Sequence, residues 1–122
     1  MKIIRIILII SLILFMFYFY KKILNIKVCV CTCGKNENKY VREFGEYYRQ
    51  YNVDKIFIYD NNEENGEKFE SVISDYIAKG FVSIINYRGK LKIQMEVFNH
   101  CYNENKEKYN WFIYYDMMNL FI

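Results

Sequence analysis

Three polar clusters in this chain each follow a short apolar run. Lys35, Asn36 and Glu37 follow VCVCTC (28–33), Asp60, Asn61 and Asn62 follow KIFIY (55–59), and Asp116 follows WFIYY (111–115). Asp60 has two readings. It starts a turn by bonding nearby backbone N–H groups, or its carboxylate accepts from a ribose or a base. Asp116 is likewise either a turn residue or a ligand for a divalent cation that bridges a carboxylate and a phosphate. The loop 34–38 meets neither the dinucleotide nor the P-loop glycine pattern. Its plain role is to lead into a helix, with Asn36 or Asn38 as N-cap.

Cys29, Cys31 and Cys33 alternate along one run, so they share one side of a strand. That spacing suits neither a structural zinc site nor a bridge between residues two apart. They read as small buried hydrophobes, and Cys101 as a core residue of its helix. The cysteines then leave the redox compartment open. His100, the single histidine, reads as structural or surface. No Ser/His/Asp or Cys/His catalytic set forms around it.

The elements that would position these residues alternate. Strands are expected at 28–33, 55–59, 81–87 and 111–115. Helices are expected at 38–52, 66–80 and 92–105. In 66–80, Phe69, Val72, Ile73, Tyr76 and Ile77 recur at helical spacing, and Gly80 is placed to end the helix. In 38–52, Val41, Phe44, Tyr48 and Tyr51 recur likewise, while Gly45 weakens the pattern. Alternating strands and helices imply an α/β fold with a mostly parallel sheet. Strands buried on both faces match the continuous apolar runs. Ligands in such sheets bind outside the carboxyl ends of the strands, so all three clusters should share one edge.

The 122 residues leave room for one small domain. Ahead of it, Ile6 to Tyr20 carries no charge. With Ile3 and Ile4 the apolar span is about 18 residues, roughly 27 Å as a helix, against about 30 Å for a bilayer core. Arg5, Lys21 and Lys22 can snorkel to headgroups, and the aromatic run 17–20 suits an interface. Residues 1–27 therefore read as an uncleaved signal anchor. A cleaved signal lacks its small-residue site, and a buried core helix is the third reading. Of the formal charge of +3, residues 1–27 contribute +5, so the remainder carries −2. That balance argues against nucleic acid as a partner.

Taken in order, the KNE of residues 35–37, VDKIFIYDNN (53–62), Gln94 with Asn99 five residues on, and YNWFIYYD (109–116) resemble nucleotide-sugar glycosyltransferases of the GT-A fold. The nearest likeness is to the family-92 group and its family-2-like relatives, over about residues 28–122. An anchor ahead of such a domain resembles a type II membrane glycosyltransferase of the secretory pathway (Golgi or ER). The resemblance implies transfer of a sugar from a UDP-sugar to a hydroxyl of a glycan or other acceptor. It implies that Lys35, Asn36 and Glu37 line the nucleotide pocket, and that Asp60 contacts the uridine part with Asn61 and Asn62 shaping the loop. Gln94 and Asn99 match the segment beneath the donor site.

Asp116 matches the first acid of an Asp-x-Asp motif that holds a divalent metal, usually manganese. Met118 stands at the second acid position and Asn119 at the next acid position; a thioether suits a hard cation poorly. Glu63 and Glu64 follow the DNN cluster and would bring two negative charges near a diphosphate unless they face solvent. The resemblance thus implies a partial GT-A domain, the donor-binding half, over 28–122. The alternative is a non-catalytic, degenerate or truncated membrane-anchored module.

Overall fold

The computed structural model describes residues 1–117. Eight elements follow in order: α1 (Lys2–Leu24), β1 (Val28–Gly34), α2 (Asn38–Gln50), β2 (Lys55–Asp60), α3 (Glu70–Ala78), β3 (Val82–Asn86), α4 (Gln94–Asn105) and β4 (Trp111–Tyr114). The four strands form one sheet of order β3-β2-β1-β4. All pairings are parallel. The expected alternation of strands and helices is therefore the observed one.

Residue parity along the strands separates two cores. Val30, Ile56, Ile58 and Val82 point to one face, where α2 contributes Val41, Phe44 and Tyr48 and α3 contributes Ile73 and Tyr76. Cys29, Cys31 and Tyr59 point to the other face, which α4 covers with Val97 and Cys101. Covering both faces removes β1 and β2 from water, which explains their unbroken apolar runs. Gly45 is buried in α2, and a Cβ there would lie 3.0 Å from the Tyr76 ring. The glycine thus lets α2 and α3 approach closely, which offsets its poor helix propensity.

Boundaries depart from the expected ones where side chains outside the helices take over backbone groups. The helix expected from residue 66 begins at Glu70, and its backbone leaves helical geometry at Ile73. Arg88 takes the carbonyls of Glu63, Gly66 and Glu67, and Asn38 takes that of Lys68. Those carbonyls hold an ordered loop instead of a first helical turn. At its far end α3 stops as expected, at Gly80 with φ +77°. In α2 the stop comes at Gln50, with Asn52 in the left-handed region.

The cysteine reading needs correction. Cys31 and Cys101 form a disulfide, with Cα atoms 6.3 Å apart and a sequence separation of 70. The expectation considered neighbours along one strand, but the partner comes from the helix laid across that strand. Cys29 and Cys33 remain thiols. Burial, then Asp54, pushes the Cys29 thiol up to about 12, so it stays neutral.

Helix α1 stands apart from both cores. Its large apolar side chains are exposed along its whole length. It has 23 residues and is long and apolar enough to cross a membrane; a signal sequence meets the same description. The join to the domain is short. The Lys27 carbonyl accepts from the backbone of Asn110 and Trp111, and Val28 N–H donates to Asp54 Oδ2 at 2.8 Å.

Candidate functional site

The sheet order creates one topological reversal. From β1 the chain moves outward through β2 to β3, then returns across the other face to place β4 on the far side of β1. Crevices of open α/β sheets form at the strand carboxyl ends where the strand order reverses. Here that place is the carboxyl end of β1 beside that of β4. A cleft of about 300 Å³ lies there, lined by Cys33, Gly34, Lys35, Asn36, Glu37, Asn61 and Asp116.

The loop after β1 is held by the loop after β2. Asn36 adopts φ +58°, and its N–H donates to Asn62 Oδ1 at 2.7 Å. Asn62 is wholly buried. Its amide and backbone N–H groups both donate to Asp60 Oδ1, at 2.7 and 3.0 Å. Asp60 Oδ2 accepts from Arg88 at 2.6 Å, with both side chains almost entirely out of water. Breaking such a pair by removing one partner costs about 3–5 kcal/mol, because the other charge is left buried. The remaining Arg88 hydrogens satisfy carbonyls of the 63–67 loop. Asp60, Asn62 and Arg88 therefore set the shape of the loops that carry the cleft.

Glu37 is the unusual group. It begins α2, and its carbonyl accepts from Tyr40 and Val41. The residue is 2% exposed, and its Oε2 has no hydrogen-bond partner. Burial, then the Asp116 and Glu67 carboxylates, pushes its carboxyl up to about 7. Burial, then Asp116 and Glu37, likewise raises the Cys33 thiol. Three side chains from β1, α2 and the end of β4 thus feel one another in the cleft wall.

The sequence-predicted residues divide into three groups. Lys35, Asn36, Glu37, Asn61 and Asp116 meet in the cleft. Asp60 and Asn62 are buried in the loop framework, both Asp60 oxygens being engaged by the chain itself. Asp60 borders a separate hollow with Lys68, Asn86 and Arg88. Gln94 is exposed at the start of α4, and Asn99 lines a surface hollow with Met95, Phe98, Tyr102 and Tyr114. Met118 and Asn119 lie outside the described residues. Glu63 pairs with Lys35 at 2.5 Å, so its charge is matched; Glu64 is exposed.

Arg88 was missed by sequence reasoning. Its signal was a lone arginine just beyond the third strand, at the same sheet edge as the three clusters. His100 is structural, as expected: Nδ1 shares a 2.8 Å hydrogen bond with the Tyr59 hydroxyl.

Among the described residues, no group of three or more His, Cys, Asp or Glu side chains is placed to hold a metal. Glu37 and Asp116 offer two carboxylates in one cleft. Small hard cations are commonly held by one or two carboxylates plus substrate phosphates. The donor chemistry of the cleft therefore fits a divalent cation that arrives with an anionic ligand.

Fold and cleft define a parallel α/β domain with a polar, acid-bearing crevice at its strand carboxyl ends. The chain belongs to glycosyltransferase family 92, whose family model matches residues 25–121. By that membership it is a transferase with a role in glycosyl transfer. No curated protein and no solved structure matches it.

Proposed function

We propose that the protein is a membrane-anchored glycosyltransferase whose β1–β4 cleft takes the diphosphate end of a UDP-sugar. The observation that carries this reading is the meeting of Lys35, Asn36, Glu37 and Asp116 at the switch point. The left-handed Asn36 turns the loop after β1, and Asn62 holds it from below. Lys35 is held by Glu63 in a largely exposed pair. Such pairs contribute little, so its ammonium is available to a phosphate. Asp116 faces the metal in this reading, and manganese fits its hard oxygen. When bound, such a cation neutralises charge on a leaving diphosphate. The acceptor would be a hydroxyl of a glycan or similar molecule, in keeping with GT-A relatives.

Residues 1–27 act as a single-pass anchor in this proposal, and residues 28–122 as the nucleotide-sugar-binding domain. The Cys31–Cys101 bridge supports an oxidising compartment for that domain, which suits the secretory pathway of a eukaryotic cell.

The test is a titration of the full chain in detergent micelles with UDP, with and without Mn²⁺. UDP affinity should rise at least tenfold with Mn²⁺, and Asp116→Asn should abolish that gain. UDP binding that ignores both metal and Asp116, or no UDP binding, would reject the donor site.

A further inference from the structure

We propose that Glu37 is the second carboxylate of a divalent-cation site shared with Asp116, completed by phosphate oxygens of a bound nucleoside diphosphate. The phosphate part rests on the function proposed above; the pairing of the two acids rests on the geometry of the chain.

Glu37 is almost wholly removed from water, yet Oε2 receives no hydrogen bond. Buried carboxylate oxygens without a donor are costly and rare, so they call for an explanation. The neighbouring backbone donors are turned elsewhere: the Asn36 N–H is spent on Asn62, and that of Asn38 on Glu67 Oε2 at 3.1 Å. What the cleft does offer Glu37 is a second acid. Asp116 lines the same cleft and acts on the same buried carboxyl.

The backbone is arranged to keep this space open. A Cβ at Gly34 would lie 3.2 Å from Glu37 Oε2 and 2.9 Å from the Phe69 ring. Glycine there leaves the room that the carboxylate occupies. The start of α2 fixes the Glu37 backbone, and the β1–β4 pairing fixes the approach to Asp116. Two carboxylates brought together from separate elements, one with an unused oxygen, form a ligand pair for a hard cation. The family resemblance assigns the second acid to residue 118, which is methionine. The fold supplies one from a different strand end.

The probe is Mn²⁺, followed by electron paramagnetic resonance on the full chain in micelles, alone and with UDP. Glu37→Gln and Asp116→Asn should each weaken Mn²⁺ binding at least tenfold. Glu43→Gln, on the exposed side of α2, should leave it unchanged. Wild-type affinity in Glu37→Gln, or no Mn²⁺ binding by the unaltered chain, overturns the proposal. Should Glu37→Gln not fold, Fe²⁺ with ascorbate can be used to cut the unaltered backbone beside the bound ion. Cuts near both residues 37 and 116 support the pair; cuts near 116 alone, or near neither, overturn it. The UDP arm separates the two readings. Mn²⁺ held through both acids with no gain from UDP keeps the acid pair and removes the donor. UDP binding that gains from Mn²⁺ and loses that gain in Asp116→Asn, but is unchanged in Glu37→Gln, overturns the acid pair and keeps the donor.

Discussion

Glu37 holds its proton to about pH 7 because burial and two neighbouring carboxylates oppose its charge. In the unfolded chain the same carboxyl titrates near its ordinary 4.5. Between those values the folded chain binds a proton that the unfolded chain has released. The stability contributed by this group is therefore fully present below about pH 4.5 and falls as pH rises towards 7. The loss is about 3 kcal/mol over that window. Urea melts from pH 4.5 to 7.5 in metal-free buffer should show the decline in the native chain and lack it in Glu37→Gln. Equal slopes would contradict the prediction. At this scale much of the site was legible. Parallel strands bring their carboxyl ends to one edge, so Lys35, Asn36, Glu37, Asn61 and Asp116 had to meet there. What stayed hidden was direction. Asp60 and Asn62 sit at the same edge but turn inward, because Arg88, 28 residues from Asp60, draws that carboxylate down. A partner so distant leaves no spacing to read.

Apolar periodicity carried the elements well. Phe69, Ile73 and Tyr76 are buried as their spacing implied, since a helix on a sheet hides one stripe. Periodicity says nothing about which helix crosses which strand. That is why the Cys31–Cys101 bridge was invisible: it depends on α4 lying over β1. Among the described residues, the bridge ties the one helix on that face to an inner strand. Closing a loop of about 70 residues removes denatured-state entropy worth about 4 kcal/mol in the chain-entropy account. Cys101→Ser should lower the unfolding free energy by roughly 2–4 kcal/mol, read by urea melts against the oxidised native chain. Reduction of the native chain should produce a similar loss, and Cys101→Ser should then be insensitive to reductant. A variant as stable as the oxidised chain would show that packing alone holds α4. The choice of Cys101, rather than Cys29 or Cys33, matters because those two thiols are unbridged.

At the scale of the whole molecule, charge and redox chemistry bear on the anchoring proposed above: which side of a membrane an anchored domain would face. The 23 residues of α1 would span about 35 Å, enough for a bilayer core of about 30 Å. Lys2 and Arg5 lie at one end, and Lys22 and Lys27 at or beyond the other. Positive residues at both ends leave orientation undecided by charge. The disulfide breaks that tie, because protein thiols stay reduced in the cytosol and bridge in oxidising lumens. An anchored domain with its bridge intact should face the lumen. In microsomes from a eukaryotic expression host, the chain should remain with the membrane pellet after alkaline carbonate washing. Protease added outside should spare the domain until detergent opens the vesicles. A maleimide reagent applied after denaturation should label Cys29 and Cys33 but reach Cys31 and Cys101 only after reduction. Release by carbonate would remove the anchor. A domain digested in sealed vesicles, with all four thiols labelled without reductant, would place it on the cytosolic side. The disulfide would then be a property of the isolated fold and not of the protein in its membrane.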